Sequence, residues 1–121
     1  MNPTTHLAVT TEHHGQRSVL RLQGELDASN RDRLHGAISS ALEHHPPLLV
    51  ADLSGLDFID CAGLSVLVGA HKRLAVSGHR LLITGAKPAV QRLLHLTGLD
   101  TYLHLSTAET ISDNPDEDIY T

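Results

Sequence analysis

The only thiol in the chain, Cys61, stands between Asp60 and Ala62. A lone thiolate can serve as a nucleophile or as a redox centre. Nucleophilic work needs a histidine held within reach as a base. The chain has ten histidines, but none is tied to Cys61 by spacing. Redox work has no second Cys with which to resolve a sulfenic acid. The histidines also raise metal binding. His13-His14 and His44-His45 are adjacent pairs, and neighbours in regular structure point in different directions. No Cys/His spacing matches a zinc site, so these read as surface histidines, with no metal site. Gly55 and Gly85 read as turn glycines, and no Gly-x-Gly-x-x-Gly or Walker-type loop is present to cradle phosphate. The residues give an enzyme poor support, and neither catalysis nor a cofactor is expected.

These side chains need elements to position them. Leu7–Thr11 reads as a first strand, 12–16 as a turn and Ser18–Gln23 as a second, antiparallel strand. A helix follows, with Ser29 or Asn30 as its cap and Asp32 in its first turn. Leu34, Ile38, Ala41 and Leu42 share one face of it, and Pro46-Pro47 ends it beyond His44-His45. Leu48–Leu53 is a nearly continuous apolar strand, suited to the middle of a sheet. Ala62–Val76 reads as a second helix burying Leu64, Leu67, Val68 and Leu74, with Gly78 as its stop. Arg80–Thr84 is another buried strand. Pro88 opens a third helix whose inner face carries Val90, Leu93, Leu94 and Thr97, and Tyr102–Leu105 supplies a short edge strand. Strand–helix alternation after Gly24 implies right-handed crossovers and parallel strands. The predicted fold is α/β: one domain over 1–108 with a mixed, mostly parallel sheet of four to five strands. The antiparallel edge is N-terminal, and about three to four helices cover the sheet.

Bulk properties narrow the class. A chain of 121 residues, 40% hydrophobic and 19% charged, suits one globular domain. With Phe58, Tyr102 and Tyr120 as its only aromatics, its core must be aliphatic. The formal charge is −5, and Glu109, Asp113, Asp116, Glu117 and Asp118 supply five negative charges near the end. Residues 109–121 read as an acidic, mobile tail. The absence of a basic stripe argues against direct nucleic-acid binding. No apolar run approaches the roughly 18–20 residues needed to span a bilayer, and no signal peptide is visible. One Cys fits a reducing, cytoplasmic setting.

Three segments resemble the STAS domains, the family of bacterial anti-sigma-factor antagonists. Gly24-Glu25-Leu26-Asp27 resembles the family's turn after the second strand. The stretch from Asp52-Leu53-Ser54-Gly55 to Asp60-Cys61-Ala62-Gly63-Leu64 resembles its signature loop, in which Asp-x-Ser is followed by Asp-Ser-Ser/Ala-Gly-Leu at a helix start. Residues 82–99 resemble its closing strand and helix. Together the segments span roughly 7–105, in family order. The resemblance implies partner switching. An anti-sigma factor with kinase activity holds a sigma factor, the unphosphorylated antagonist displaces it, phosphorylation of the signature Ser breaks that complex, and a phosphatase resets it.

The resemblance places Cys61 at the phosphoacceptor position. Its implied partner-binding face comprises Asp27, Ser54, Asp60, Cys61, Ala62, Gly63 and Leu64, with Leu64 read first as core and Gly63 as a point of close helix approach. A thiol is no ordinary substrate for a Ser kinase, so Cys61 is expected to stay unphosphorylated and the antagonist to remain binding-competent. Ser65, one turn on, reads as a small flank residue in preference to a substitute acceptor. Ser54 is expected to bond the loop backbone. Two other readings stand beside this one: a scaffold subunit of a larger STAS assembly, and a Cys61 redox-sensing binding module. Self-association is left open.

Overall fold

The computed structural model describes residues 6–99 and 104–106. Strand β1 (Leu7–His14) and strand β2 (Arg17–Leu26) form an antiparallel hairpin, paired from Leu7↔Gly24 to His14↔Arg17. Pairing continues three residues beyond the predicted end of β1. Gly15, at φ +62°, lets the chain reverse within Gly15-Gln16, so His13 and His14 belong to the strand and not to the turn.

Helix α1 (Arg31–Leu42) buries Leu34, Ile38 and Ala41. Strand β3 (Leu48–Ile59) lies parallel to β2, and strand β4 (Arg80–Thr84) lies parallel to β3. Helix α2 (Cys61–Val76) joins β3 to β4, and helix α3 (Pro88–Leu96) joins β4 to strand β5 (His104–Ser106). The sheet order is β1-β2-β3-β4-β5. Each crossover moves one strand in the same direction, and right-handed connections then put all three helices on one face. Leu22, Leu49, Leu53 and Ile83 from the sheet meet Leu34, Ile38, Leu67 and Leu94 from the helices in an aliphatic core.

Four local readings change. The stretch read as a loop after Leu53 is strand: Gln23↔Gly55, Gly24↔Leu56, Glu25↔Phe58 and Leu26↔Ile59 carry the β2–β3 pairing to Ile59. Its buried residues, Leu53, Leu56 and Ile59, recur every third position, because β3 carries an extra residue opposite Arg21–Gln23 and again opposite Gly24–Glu25 of β2, which interrupts the ordinary period of two. Gly24-Glu25-Leu26 is likewise strand, with Gly24 at φ +105° where an added Cβ would strike the His6 carbonyl. On α2 the buried side chains are Leu64, Leu67, Ala70 and Leu74, with Val68 half-buried. Thr97 lies outside the core and its Oγ1 donates to the Leu93 carbonyl at 2.8 Å. Tyr102, Leu103 and the acidic stretch 109–121 lie outside the described residues.

Candidate functional site

The site begins where β3 runs into α2. Asp60 has extended backbone (φ −112°, ψ −175°) and is the N-cap of α2, its side chain accepting from the Gly63 N–H. That bond, from Gly63 N to Asp60 Oδ1, is 3.0 Å. It satisfies one of the backbone donors that a helix start leaves unpaired. The Asp60 N–H donates to the Leu26 carbonyl at 3.2 Å, fastening the end of β2 beside the start of α2. Asp27, next along the chain, is half-buried, and its Oδ1 accepts from both the N–H and the Oγ of Ser29, at 2.9 and 2.6 Å. Asp27 and Asp60 thus stand on adjoining loops at the same end of the sheet.

Cys61 is the first residue of α2 and its thiol is exposed. Ala62 is half-buried, and its carbonyl accepts the Ser65 Oγ at 2.7 Å, which turns Ser65 back onto its own helix. Gly63 has a packing role. A Cβ there would come within 2.6 Å of Leu26 Cγ and 2.9 Å of Ile59 Cγ1, so only glycine lets α2 sit this close to β2 and β3. Leu64, 3% exposed, is a core residue. Its side chain belongs to the main core cluster, and Gly63 is buried as well. Ser54 is exposed on β3. Its N–H, and not the expected hydroxyl, makes the local bond, to Asp52 Oδ1 at 2.9 Å.

Asn30 is the residue before α1 but does not cap it through its side chain. Its Oδ1 accepts from the Asp27 N–H at 3.0 Å and its Nδ2 donates to the Glu25 carbonyl at 2.9 Å. The side chain braces the β2–α1 loop from within, and so holds Asp27 in place.

An apolar groove of about 440 Å³ opens beside Cys61, between the end of β3 and α3, and Phe58, Leu93 and Leu96 form its walls. Phe58 is 48% exposed and Leu96 72%, unusual solvent contact for large apolar side chains set together. Arg92 and Asp57 border the groove, and Lys87 pairs with Asp57 at its rim. Cys61 also borders a second furrow between α2 and the end of α3, shared with Leu64, Ser65 and Val68. Among the described residues no histidine lines either groove, and Asp27 and Ser54 line neither. The groove was not legible in sequence. The available signal was an aromatic between Asp57 and Asp60, and its outward orientation depends on the bulged register of β3.

Elsewhere, His13 and His44 stack with ring centroids 4.2 Å apart, and His13 Nδ1 lies 2.7 Å from Ser18 Oγ. One histidine of each adjacent pair thus meets one of the other, His13 on β1 and His44 in the connection between α1 and β3. Among the described residues no three His, Cys, Asp or Glu side chains are grouped to hold a metal ion. Glu12 accepts from His14 Nε2 at 2.8 Å and pairs with Arg21 Nη1 at 2.8 Å. The His14 hydrogen bond first, and then Arg21, hold its carboxyl below the ordinary Glu value.

Comparison with known proteins agrees with this geometry. The family model described as Mlab, STAS domain, matches residues 9–107. The chain belongs to the STAS family. This STAS domain is 32% identical over 95 residues to the anti-sigma F factor antagonist of Paenibacillus polymyxa, covering 78% of this chain and 81% of that protein. It is 29% identical over 110 residues to the anti-sigma-F factor antagonist RsfA of Mycobacterium tuberculosis, covering 88% and 86%. Among solved structures it resembles an anti-sigma factor antagonist from Mycobacterium paratuberculosis, with TM-score 0.76, 32% identity and coverage of 83% and 85%. The unphosphorylated antagonist SpoIIAA shares the fold, at TM-score 0.72 and 24% identity, over 84% of this STAS domain and 90% of that chain.

Proposed function

We propose that this STAS domain is an anti-sigma-factor antagonist: it binds an anti-sigma factor and so releases a sigma factor for transcription. The observation that carries this reading is the 32% identity to the Paenibacillus antagonist across most of both chains. The protein works by binding and not by catalysis, with Asp60, Cys61, Ala62 and Phe58 presented to the partner and Asp27 at the margin. The groove walls Leu93 and Leu96 supply the apolar area such an interface needs at its centre. A cytoplasmic setting goes with this role, and no described helix is long and apolar enough to cross a membrane.

The partner is read as an anti-sigma factor with kinase activity, and Cys61 sets how far that activity reaches. A phosphate at the start of α2 would lie at the positive end of the helix dipole but beside the Asp60 carboxylate and facing the partner, where its charge breaks the complex. Cys61 offers the kinase no hydroxyl. The antagonist therefore stays in its binding form, a phosphatase has nothing to remove at this position, and control lies in how much of the protein is made.

The test mixes the full chain with candidate anti-sigma kinases and ATP, recording complex formation and intact mass. Complex formation without added phosphate is expected, and a Cys61→Ser chain is expected to gain one phosphate and dissociate. Phosphate on the unaltered chain would sink the locked-state reading, and binding to no candidate would sink the antagonist reading.

A further inference from the structure

Helices α1 and α2 each return the chain from one parallel strand to the next, so they run the same way across the sheet. Between them lies an open cleft of about 310 Å³. That is the small end of the range for ligand cavities and matches the volume of about ten waters. Its floor is apolar, with Ile38 and Ala70 each 2% exposed. Gly69 keeps the cleft open: an added Cβ there meets no atom within 4 Å.

Two guanidinium groups line this cleft, and neither is in an ion pair among the described residues. On α1, Arg31, His35 and Ser39 follow at intervals of four and share a face. On α2, Ser65, Gly69 and Arg73 do the same. Arg73 Nη1 donates to Ser39 Oγ at 3.2 Å across the far end of the cleft, about 12 Å along α1 from Arg31. Ser39 is neutral, so that bond leaves the Arg73 charge uncompensated. Arg31 makes no hydrogen bond among the described residues. Arg33, two positions on, shows the structural use of the same side chain, its Nη1 donating to the Leu7 carbonyl at 3.0 Å. The one carboxylate of the cleft is Asp32, beside Arg31, and it offsets one of the two charges. The cleft is therefore cationic over an apolar floor.

We propose that the α1–α2 cleft binds a small organic anion, its carboxylate or phosphate head met by Arg31 and Arg73 and its apolar body laid on Ile38 and Ala70. Guanidinium forks match both head groups. Both arginines are exposed and long, so they can close on one head from the two ends of the cleft. The apolar floor and the small volume select a compact body, and the cleft is far smaller than a protein interface needs by itself. Ser65 also borders the furrow beside Cys61, so the bound molecule lies one helical turn from the exposed thiol. This assignment is independent of the antagonist reading, because it concerns binding to the isolated chain.

Titration of the isotope-labelled full-length chain with phenyl phosphate and with benzoate, followed by amide and arginine side-chain NMR, tests it. Saturable shifts are expected at Ser65, Gly69 and Ala70 and at the Arg31 and Arg73 side chains, at probe concentrations up to about 10 mM. The probe that binds more tightly identifies the head group. Benzyl alcohol, an uncharged probe with the same ring, should bind about tenfold more weakly, and Arg31→Gln and Arg73→Gln should each weaken the anions by a similar factor, as loss of a charge-assisted hydrogen bond requires. Asp32→Asn should bind both anions more tightly, because it removes the one opposing charge. No saturable shift with either anion overturns the proposal. So does equal affinity for benzyl alcohol, unchanged affinity in both arginine variants, or shifts spread evenly over the surface arginines and lysines. The amide spectrum of each variant reports its fold, and if an arginine variant does not fold, Asp32→Asn and benzyl alcohol decide.

Discussion

Gly63→Ala and Gly69→Ala make the same chemical change on the same helix, and the structure requires opposite results. Both replacements gain helix propensity, about 0.8–1.0 kcal/mol at an interior position and less for Gly63, which lies in the first turn. An added Cβ at Gly69 meets no atom within 4 Å, so Gly69→Ala should stabilise the domain by most of that amount. At Gly63 the Cβ lands 2.6 Å from Leu26 Cγ and 2.9 Å from Ile59 Cγ1. Leu26 and Ile59 are 0% and 3% exposed, so neither can swing into solvent to make room. Overpacking of this kind costs about 1–3 kcal/mol. The two variants should therefore differ by about 2–4 kcal/mol in unfolding free energy, because Gly63→Ala bears the overpacking cost and keeps little of the helix gain. Urea unfolding followed by far-UV circular dichroism is the assay, since the chain has no Trp to report by fluorescence. The slope with denaturant should stay constant while the midpoint moves. A double-mutant cycle adds a sharper check: Leu26→Ala opens space at the same contact, so Gly63→Ala should cost less in that background. Equal stabilities for Gly63→Ala and Gly69→Ala, or strict additivity with Leu26→Ala, would refute the close-approach account of Gly63.

Two further outcomes are expected. Phe58→Ala should weaken binding to the anti-sigma partner about 10- to 100-fold, as removal of an aromatic anchor does, while changing unfolding free energy little because the ring is already 48% exposed. Calorimetric titration measures this, and unchanged affinity would remove the groove from the interface. Glu12 should titrate below its ordinary value near 4.5 because His14 and Arg21 favour its charged form. A depressed folded-state pKa means that the contribution to stability is present above the unfolded value and is lost as pH falls through the folded one. Carboxyl-carbon NMR should show the midpoint rising in His14→Ala, and a Glu12 midpoint at or above the ordinary value in the unaltered chain would contradict the pairing.

The boundaries of α1, α2 and α3 were legible because their signals are local. Proline after His45 and at position 88, glycine at 78 and 98, and apolar residues at helical spacing act within one or two turns. The second half of β3 was not legible. Its buried residues, Leu53, Leu56 and Ile59, fall at intervals of three, which a strand tolerates only when it is itself bulged. The extra residues of β3 are fixed by its pairing with β2, a distant segment that a reading of 54–59 alone leaves out. Val68 and Thr97 were misplaced for a related reason: helical spacing defines a stripe, whereas its width depends on what packs opposite.

By itself the sequence determined the α/β alternation, the order of the elements, the STAS resemblance and the presence of a thiol where the family carries its phosphoacceptor. Each of these is written in contiguous residues. Tertiary structure alone decided which residues of the signature reach the surface. Cys61 is exposed there, Gly63 and Leu64 are buried where α2 meets the sheet, and Phe58 and Leu96, from β3 and α3, become two walls of one groove. Exposure depends on the elements packed around a residue, and those come from distant stretches of the chain, so no reading of the residue's own neighbours could have supplied it.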